Sequence, residues 1–162
     1  MKQILKIIAF IISLTIFINA NDDININDKI KLAKEQNKHL MIFFHIPGCP
    51  YCKSMLSENF KDNEMIQKIK DDFILINLYT ADDYFITFDD FDGDIQEFAT
   101  RIGAFAFPST IFIDKNKKVV FKSIGYRDTP GHLAELEYVS AKNYKTTSFK
   151  EYKEKLDFDK DD

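Results

Sequence analysis

Two cysteines three positions apart, Cys49 and Cys52, are the residues of this chain best suited to chemistry. Pro50 follows the first of them, and its fixed φ and missing N–H suit the first turn of a helix. A sulfur at a helix N-terminus lies beside unsatisfied N–H groups and the positive end of the helix dipole, which favours thiolate over thiol. We therefore expect Cys49 to be a nucleophile. Cys52, one helical turn further on, is expected to attack a mixed disulfide formed at Cys49 and to release the product.

Other roles for a cysteine pair fit this sequence less well. A c-type haem site needs His directly after the second cysteine, and position 53 is Lys. A closed zinc or copper site needs four ligands, and beyond the pair only His39, His45 and His132 offer soft donors. An inert structural disulfide is conceivable, but such bridges usually close longer loops. We expect neither a metal nor another cofactor.

The alternation of apolar and polar segments predicts the elements that position the pair. An apolar run at 40–45 is typical of a strand buried on both faces, and it ends just before the cysteines. The other predicted elements are a helix near 27–37 capped by Asn27 or Asp28, one long or two successive helices from 50 to 69, a strand at 73–79, a helix at 95–102, a hairpin of strands 109–113 and 119–124, and a helix near 133–139. This order predicts an α/β fold with a central mixed β-sheet flanked by helices on both faces.

The first twenty residues are predicted to be a signal peptide. Lys2 and Lys6 precede a twelve-residue apolar run at 7–18, and Ala20 offers a small residue at the cleavage point. Twelve helical residues cover only about 18 Å of a hydrocarbon layer roughly 30 Å thick, so a membrane anchor fits less well. We expect a signal peptide over 1–20, one domain over 21–156 and an acidic tail over 157–162, in a protein exported to the periplasm.

Composition excludes several classes of protein. Lys and Arg number 22 against 26 Asp and Glu, so the net charge is −4 and the basic excess of nucleic-acid-binding proteins is absent. Removing residues 1–20 takes away two lysines and leaves the expected mature chain at −6. Two cysteines are too few for a multi-bridge disulfide scaffold. We expect an acidic, monomeric domain that does not bind nucleic acid.

Three segments resemble the thioredoxin superfamily. They are the run through Cys-Pro-Tyr-Cys at 43–53, Phe-Pro-Ser-Thr-Ile-Phe at 107–112 and Ile-Gly-Tyr at 124–126. The resemblance extends over roughly residues 28 to 156, nearly the whole expected mature chain. Within the superfamily, the tail at 136–149 is similar to that of the exported, thioredoxin-related SoxW-type proteins of bacteria.

The resemblance implies roles for residues outside the cysteines. Pro108 matches the cis-proline of the family, which faces the active-site disulfide. Phe107 offers backbone groups to an extended substrate segment, and Gly125 matches the glycine beside the substrate groove. The Pro50-Tyr51 dipeptide is familiar from glutaredoxins, but the downstream glycine and acid pattern that would hold glutathione is not visible in this sequence.

Two departures from thioredoxin itself concern the surroundings of the cysteines. The chain contains no Trp, and the strand at 40–44 lacks the buried acid that assists proton transfer to the resolving cysteine. His45, four residues before Cys49, takes one of the aromatic positions. A protonated imidazole there would stabilise the Cys49 thiolate and raise the reduction potential. The alternative is a packing role for the ring at the end of the strand.

An acidic segment at 81–94 interrupts the predicted pattern. It interleaves six aspartates with four aromatic residues, Tyr84, Phe85, Phe88 and Phe91. The calcium-loop template fails, because its positions one and twelve would be Phe88 and Ala99. We expect a solvated acidic loop, whose aromatic residues leave open a partner-binding surface.

These observations give one preferred function and two alternatives. The preferred function is a periplasmic thiol:disulfide oxidoreductase that reduces protein disulfides; the SoxW-type resemblance implies a membrane electron donor of the DsbD type. A DsbA-like thiol oxidase is the first alternative, since Pro50 and His45 could raise the potential above that of thioredoxin. The second alternative is a redox-inert adaptor that captures a peptide along Phe107-Pro108 and the aromatic segment.

Overall fold

The architecture is taken from a computed structural model that describes residues 23–161. The predicted signal peptide lies outside these residues. In chain order the elements are β1 (Ile24–Asn25), α1 (Ile26–Glu35), β2 (His39–His45), α2 (Pro50–Ser57), α3 (Asn63–Asp72), β3 (Phe73–Tyr79), β4 (Phe85–Phe88), β5 (Phe91–Asp94), α4 (Ile95–Ile102), β6 (Ser109–Ile113), β7 (Val119–Ile124), α5 (Thr129–Ser140) and α6 (Phe149–Asp161). Short 3-10 helices occupy Asn59–Lys61 and Asn143–Lys145. Within the described part of the chain, no helix is both long and apolar enough to cross a membrane.

The central sheet has the strand order β3-β2-β6-β7. β2 pairs with β3 in parallel orientation and with β6 in antiparallel orientation. β6 and β7 are also antiparallel. Phe43 in β2 is opposite Asn77 on one side and Thr110 on the other. The parallel pair joined through α2 and α3, followed by the hairpin, confirms the predicted mixed sheet and α/β fold class.

β2 supplies side chains to two cores, one on each face of the sheet. Leu40, Ile42 and Phe44 point to the core that contains α1 and α4, and Met41 points to the core that contains α3, α5 and residues of α6. All four side chains are fully buried, and each burial stabilises the fold by roughly 1.5–3 kcal/mol. Burial on both faces explains the continuous apolar run and fixes the strand that leads to Cys49.

The segment after the cysteines forms two helices rather than one. α2 ends at Ser57, and α3 begins after Asp62, whose side chain accepts a hydrogen bond from the Met65 N–H at 2.9 Å. An aspartate in this N-cap position satisfies a free N–H of the new helix, so it favours a new start over continuation. This is one of the two arrangements that the sequence left open.

The expected solvated loop at 81–94 is wrong. β4 and β5 form a hairpin, and β1 joins it in parallel, so that a second sheet of order β1-β4-β5 is present. Asp89, at φ 53°, makes the tight turn, and the Phe88 and Phe91 rings pack on Phe98 of α4 at centroid distances of 5.9 and 5.7 Å. Phe88 and Phe91 therefore close the edge of a core, whereas Phe85 and the aspartates are exposed.

Two helix boundaries differ from the sequence prediction. The cap of α1 is Asn25, which accepts from the N–H groups of Asn27 and Asp28 at 2.9 and 3.3 Å. The helix starts earlier because Ile26, which is fully buried, belongs to its apolar face. At the other end, α6 continues through Asp161, so the described part of the acidic tail is helical rather than irregular chain.

Candidate active site

The two cysteines lie at the N-terminus of α2 and form a disulfide bond. Cys49 is the N-cap residue, and its sulfur accepts a hydrogen bond from the Cys52 N–H at 3.1 Å. Pro50 occupies the first helical position, where an N–H would have no partner within the helix, so that its absence costs nothing. The sulfur of Cys49 thus lies beside a free N–H at the positive end of the helix, the position in which a thiolate is stabilised.

The two sulfurs differ in access. Cys52 is 2% exposed, whereas Cys49 is only partly buried at the surface of the loop that precedes α2. Gly48, at φ 66°, turns the chain out of β2 before the cap residue, a conformation that glycine adopts without cost. An incoming sulfur therefore reaches Cys49, while Cys52 is shielded beneath it.

An open cleft of about 700 Å³ borders the disulfide. Its walls include His45 and Tyr79 at the ends of two strands, and the lysines Lys53 and Lys61. Both lysines are exposed cations that favour a negative sulfur, although solvent screens their effect. The sequence interpretation missed these lysines; the position of Lys53 directly after Cys52 is the signal that would have indicated the first of them.

His45 is part of an aromatic stack. Its ring lies 4.8 Å from that of Tyr79 and 5.7 Å from that of Phe43 in nearly parallel arrangements. Burial lowers the pKa of His45, with Asn77 and Asp82 acting in the opposite direction. A ring with a lowered pKa is largely neutral at pH 7, which favours the packing role over stabilisation of the thiolate by an imidazolium.

The second side of the site is formed where β6 begins and β7 ends. The Phe107–Pro108 peptide bond is cis, and Ser109 after it is opposite Phe44 of β2. This register brings Pro108 to the same end of the sheet as the cysteine loop. Gly125, at φ 90°, donates its N–H to the Pro108 carbonyl at 2.8 Å, so these two predicted substrate-binding residues lie together.

Exposed aromatic side chains surround this end of the sheet. Tyr51 is 64% exposed and its ring contacts that of Tyr126 at a centroid distance of 5.6 Å. Phe105 is 78% exposed, and it lines a cavity with Pro47 and Phe107. Sequence reasoning did not identify Phe105 or Tyr126; the signal for Tyr126 was its position directly after Gly125. An apolar rim of this kind suits an extended polypeptide better than a small polar ligand.

A buried polar network lies on the face of the sheet that carries Phe43. His132 of α5 lies with its Nδ1 at 3.2 Å from the Asn59 side-chain amide and its Nε2 at 3.4 Å from the Thr110 hydroxyl. Asn59 also donates to the Arg127 carbonyl at 3.0 Å. Burial, and then the charge of Arg127, lowers the pKa of His132 to about 4. The network connects the end of α2 to the segment after Gly125.

The same network contains the only fully buried carboxylate of the described residues, Glu135. Its Oε1 accepts from the Ser123 hydroxyl at 2.7 Å and from the Arg127 Nε at 2.8 Å, whereas Oε2 has no partner within residues 23–161. Burial raises the pKa of Glu135, against the opposing effects of Ser123 and Arg127. The missing acid of β2 thus has no replacement on that strand, and the nearest buried acid belongs to a helix. Its signal in the sequence was a spacing of three between His132 and Glu135 on an otherwise apolar helix face.

The histidines do not form a metal site. His45 lies beside the disulfide, His132 lies in the buried network, and His39 begins β2 at the far end of the strand. Across residues 23–161, no group of three His, Cys, Asp or Glu side chains is arranged to hold a metal ion.

We predict that the lowered pKa of His132 makes the fold sensitive to acid. The unfolded chain binds a proton near pH 6.5 and the folded chain only near pH 4, so stability falls as pH decreases through this window. The loss from this one residue is about 3 kcal/mol, since each unit of pKa difference corresponds to about 1.36 kcal/mol. Urea denaturation at several pH values measures it.

The matched variant for this prediction is His132→Gln, which keeps hydrogen-bonding capacity and removes the titration. The slope of its free energy of unfolding against pH should be smaller between pH 6.5 and 4. The reason is that unfolding of the variant takes up about one proton fewer in this range. The raised pKa of Glu135 acts in the opposite direction, but it is present in both proteins and cancels in the comparison. Equal pH dependence in the two proteins would contradict the prediction.

The chain is similar to a known protein family and, over a shorter stretch, to a curated relative. The family model described as a thioredoxin-like domain matches residues 26–140. Anterior gradient protein 3 of Mus musculus is 37% identical over 46 residues, which cover 28% of this chain and 28% of that protein. The chain therefore aligns with only about a quarter of the length of this curated relative.

Solved structures match over more of the chain at lower identity. A thioredoxin-fold protein from Helicobacter pylori superposes with a TM-score of 0.58 and 22% identity, covering 74% of this chain and 80% of that one. The oxidised C-terminal domain of DsbD from Neisseria meningitidis gives a TM-score of 0.51 and 16% identity, covering 68% and 88%. At these identities the likeness is one of fold.

Proposed function

The chain belongs to the thioredoxin-like domain family, and from this premise we propose that it is a periplasmic thiol:disulfide oxidoreductase that reduces protein disulfides. The observation that carries the proposal is the asymmetric cysteine pair. A partly buried Cys49 and a buried Cys52 are joined at the N-terminus of α2, beside an open cleft. The family match is to the thioredoxin-like domain, so the SoxW-type assignment is part of the proposal.

The reaction follows from the two positions. In the reduced protein, the Cys49 thiolate attacks one sulfur of the substrate disulfide, forms a mixed disulfide and releases one substrate thiolate. The Cys52 sulfur, as a thiolate, then attacks Cys49, which closes the internal disulfide and releases the second substrate thiolate. Two electrons pass to the substrate, and an external dithiol donor must reduce the pair again. We propose a membrane donor of the DsbD type for this step.

Backbone groups beside the disulfide support a protein substrate. The N–H and carbonyl of Phe107 have no hydrogen-bond partner within residues 23–161. They precede Pro108 and lie at the edge of the site, where an extended chain can pair with them as a strand would. The neighbouring exposed rings of Phe105 and Tyr51 provide apolar contacts. This surface favours an unfolded or extended segment around the substrate disulfide.

The direction of transfer depends on how strongly the Cys49 thiolate is stabilised. A strongly stabilised thiolate makes the reduced form stable and the protein an oxidant, as in DsbA. His45 is held largely neutral by burial, and the two cleft lysines are exposed to solvent. Strong cationic stabilisation is thus lacking around the pair, and this supports the reductase over the oxidase.

The reduction potential tests the direction. The purified protein is equilibrated in buffers of reduced and oxidised glutathione, and the fraction of Cys49–Cys52 disulfide is measured by thiol alkylation. We expect a potential between about −270 mV, as in thioredoxin, and about −200 mV, as in the glutaredoxins. A value near about −120 mV, that of DsbA, would show an oxidase instead. A disulfide that resists dithiothreitol would favour the redox-inert adaptor.

The periplasmic location rests on the sequence of residues 1–20. We expect the exported protein to begin at Asn21, directly after Ala20. N-terminal sequencing of the protein recovered from a periplasmic fraction measures this. Recovery of the uncleaved chain in the membrane fraction would instead show an anchored protein.

A further inference from the structure

A small basic cavity lies at the opposite end of the sheet from the cysteines. It has a volume of about 140 Å³ and includes His39, the first residue of β2, whereas the cysteine loop follows the last. Seven strand residues separate the two ends by roughly 20 Å. Three segments line the cavity, namely the stretch from the end of α1 to the start of β2, the β6–β7 turn and the segment after α5. Together they contribute five lysines, Lys34, Lys38, Lys115, Lys142 and Lys145.

The positive charge of this cavity is not balanced by its surroundings. One carboxylate, Asp114, faces the five lysines. The C-terminal ends of α1 and α5 lie beside Lys34 and Lys142, and each contributes roughly −0.5 of an elementary charge. With His39 neutral, an excess of about three positive charges remains. It is concentrated in one concavity of a protein whose net charge is −4.

The Asp114 carboxylate beside the lysines is engaged in other hydrogen bonds. The Asp114 carboxylate accepts from the N–H groups of Asn116 and Lys118 at 2.8 and 3.0 Å, which holds the β6–β7 turn. Among the residues that the structure describes, none of the five lysines forms an ion pair; Lys38 donates to the Lys70 carbonyl at 2.6 Å. The cavity therefore presents cations that have no anionic partner, and their mutual repulsion costs stability.

A polar contact between His39 and Tyr144 lies among the residues that line the cavity. The His39 ring is buried, and its Nε2 lies 3.1 Å from the Tyr144 hydroxyl. Burial lowers the pKa of His39, as do the charges of Lys142 and Lys145, while Asp114 and Asp72 oppose them. The pKa of the His39 ring therefore depends on the net charge of the cavity. An anion that neutralised the lysines would raise its pKa.

We propose that this cavity binds a phosphate group that carries two negative charges. Two charges match most of the local excess, and lysines from separate stretches of the chain line the same space, so that several donors can reach one oxyanion. The volume corresponds to roughly five water molecules at ~30 Å³ each, which accommodates one phosphate group but not a nucleoside. Free phosphate and the phosphomonoester headgroup of phosphatidic acid share this chemistry, since both can carry two negative charges.

The test uses inorganic phosphate as the probe and NMR as the readout. Amide shifts of residues 37–39, 114–116 and 142–145 are followed in the full protein as phosphate is added, and the His39 ring is titrated with pH. We expect saturable binding of one phosphate and a rise in the pKa of His39. In the triple variant Lys34→Gln, Lys142→Gln, Lys145→Gln, affinity should fall at least about tenfold.

A second triple variant controls for total charge. Lys31→Gln, Lys150→Gln, Lys155→Gln removes the same charge from exposed positions outside the cavity and should bind phosphate as the wild type does. Vesicles of phosphatidylcholine with phosphatidic acid separate the two sources. Sedimentation with these vesicles that is lost only in the cavity variant would assign the site to a lipid headgroup.

The proposal would be overturned if neither saturable phosphate binding nor such sedimentation were observed. It would also be overturned if the two variants lost binding equally. Disulfide reduction should be unchanged in both variants, so this test is independent of the redox function.

Discussion

Replacing Cys49 by Ser is expected to lower the rate of dithiol-dependent insulin reduction at least about a thousandfold, because removing a catalytic nucleophile removes the covalent step itself. Serine is a good N-cap residue, so α2 should still begin at position 50. The remaining thiol, Cys52, is 2% exposed and cannot take over the attack on a protein disulfide. The turbidity assay for reduced insulin measures the rate.

Two controls separate chemistry from folding in this experiment. Ser54→Ala changes a side chain of the same helix that does not line the cleft, and its rate should equal that of the wild type. Thermal unfolding of Cys49→Ser, compared with the reduced wild type, shows whether the fold is kept. Cys49→Ser with a normal melting temperature and a rate within tenfold of wild type would be incompatible with its role as nucleophile.

Phe98→Ala is expected to destabilise the protein by about 3–5 kcal/mol, the cost of a large cavity in a core. Phe98 is 0% exposed, and its ring contacts Phe44 of β2 as well as Phe88 and Phe91 of the hairpin. The substitution therefore removes packing from the central sheet, α4 and the second sheet together. Guanidinium denaturation, with the shift of the midpoint at constant slope, measures the change.

The matched control for this prediction is Phe85→Ala in the same hairpin. Phe85 is 46% exposed and faces solvent at the far end of β4, so its loss should cost under about 1 kcal/mol. Equal effects of the two substitutions would mean that the hairpin does not share the core of α4. The same result would support the solvated loop that the sequence predicted for this segment.

The elements that carry the site could be predicted because their sequence signals are local. β2 is a continuous apolar run, and Cys49 and Pro50 carry the cap and first-turn preferences of a helix. These signals depend on neighbouring residues and on the period of the element, so the sequence alone is sufficient to place the disulfide at the end of a buried strand.

The hairpin at 85–94 could not be predicted in the same way. Its turn uses Asp89 and Asp90 instead of the usual Asn-Gly or Asp-Gly, and Asp89 adopts a positive φ. The charges of these two residues are paired with Lys117 and Arg101, which are distant in sequence. What makes this segment ordered is contact with α4, and a tertiary contact leaves no periodic signal.

The buried network was missed for a related reason. His132 and Glu135 are ordinary polar residues in the sequence, and only the approach of α5 to β6 and β7 gives them the partners Thr110 and Ser123. The five lysines of the basic cavity likewise come from three segments. Polar sites assembled from several elements require the fold before they can be recognised.

Trapping of the mixed disulfide distinguishes Cys49 as the attacking thiol from Cys52 as the resolving thiol. Cys52→Ser and Cys49→Ser, each with one remaining thiol, are mixed with a peptide that contains an exposed disulfide. Intact-protein mass spectrometry follows the adduct over time. Cys52→Ser is expected to accumulate rapidly one stable peptide adduct at Cys49. Cys49→Ser should form its adduct at least about a hundredfold more slowly, because its thiol is buried and lacks the cap position. Equal rates, or faster reaction of Cys49→Ser, would show that Cys49 is not the preferred attacking thiol.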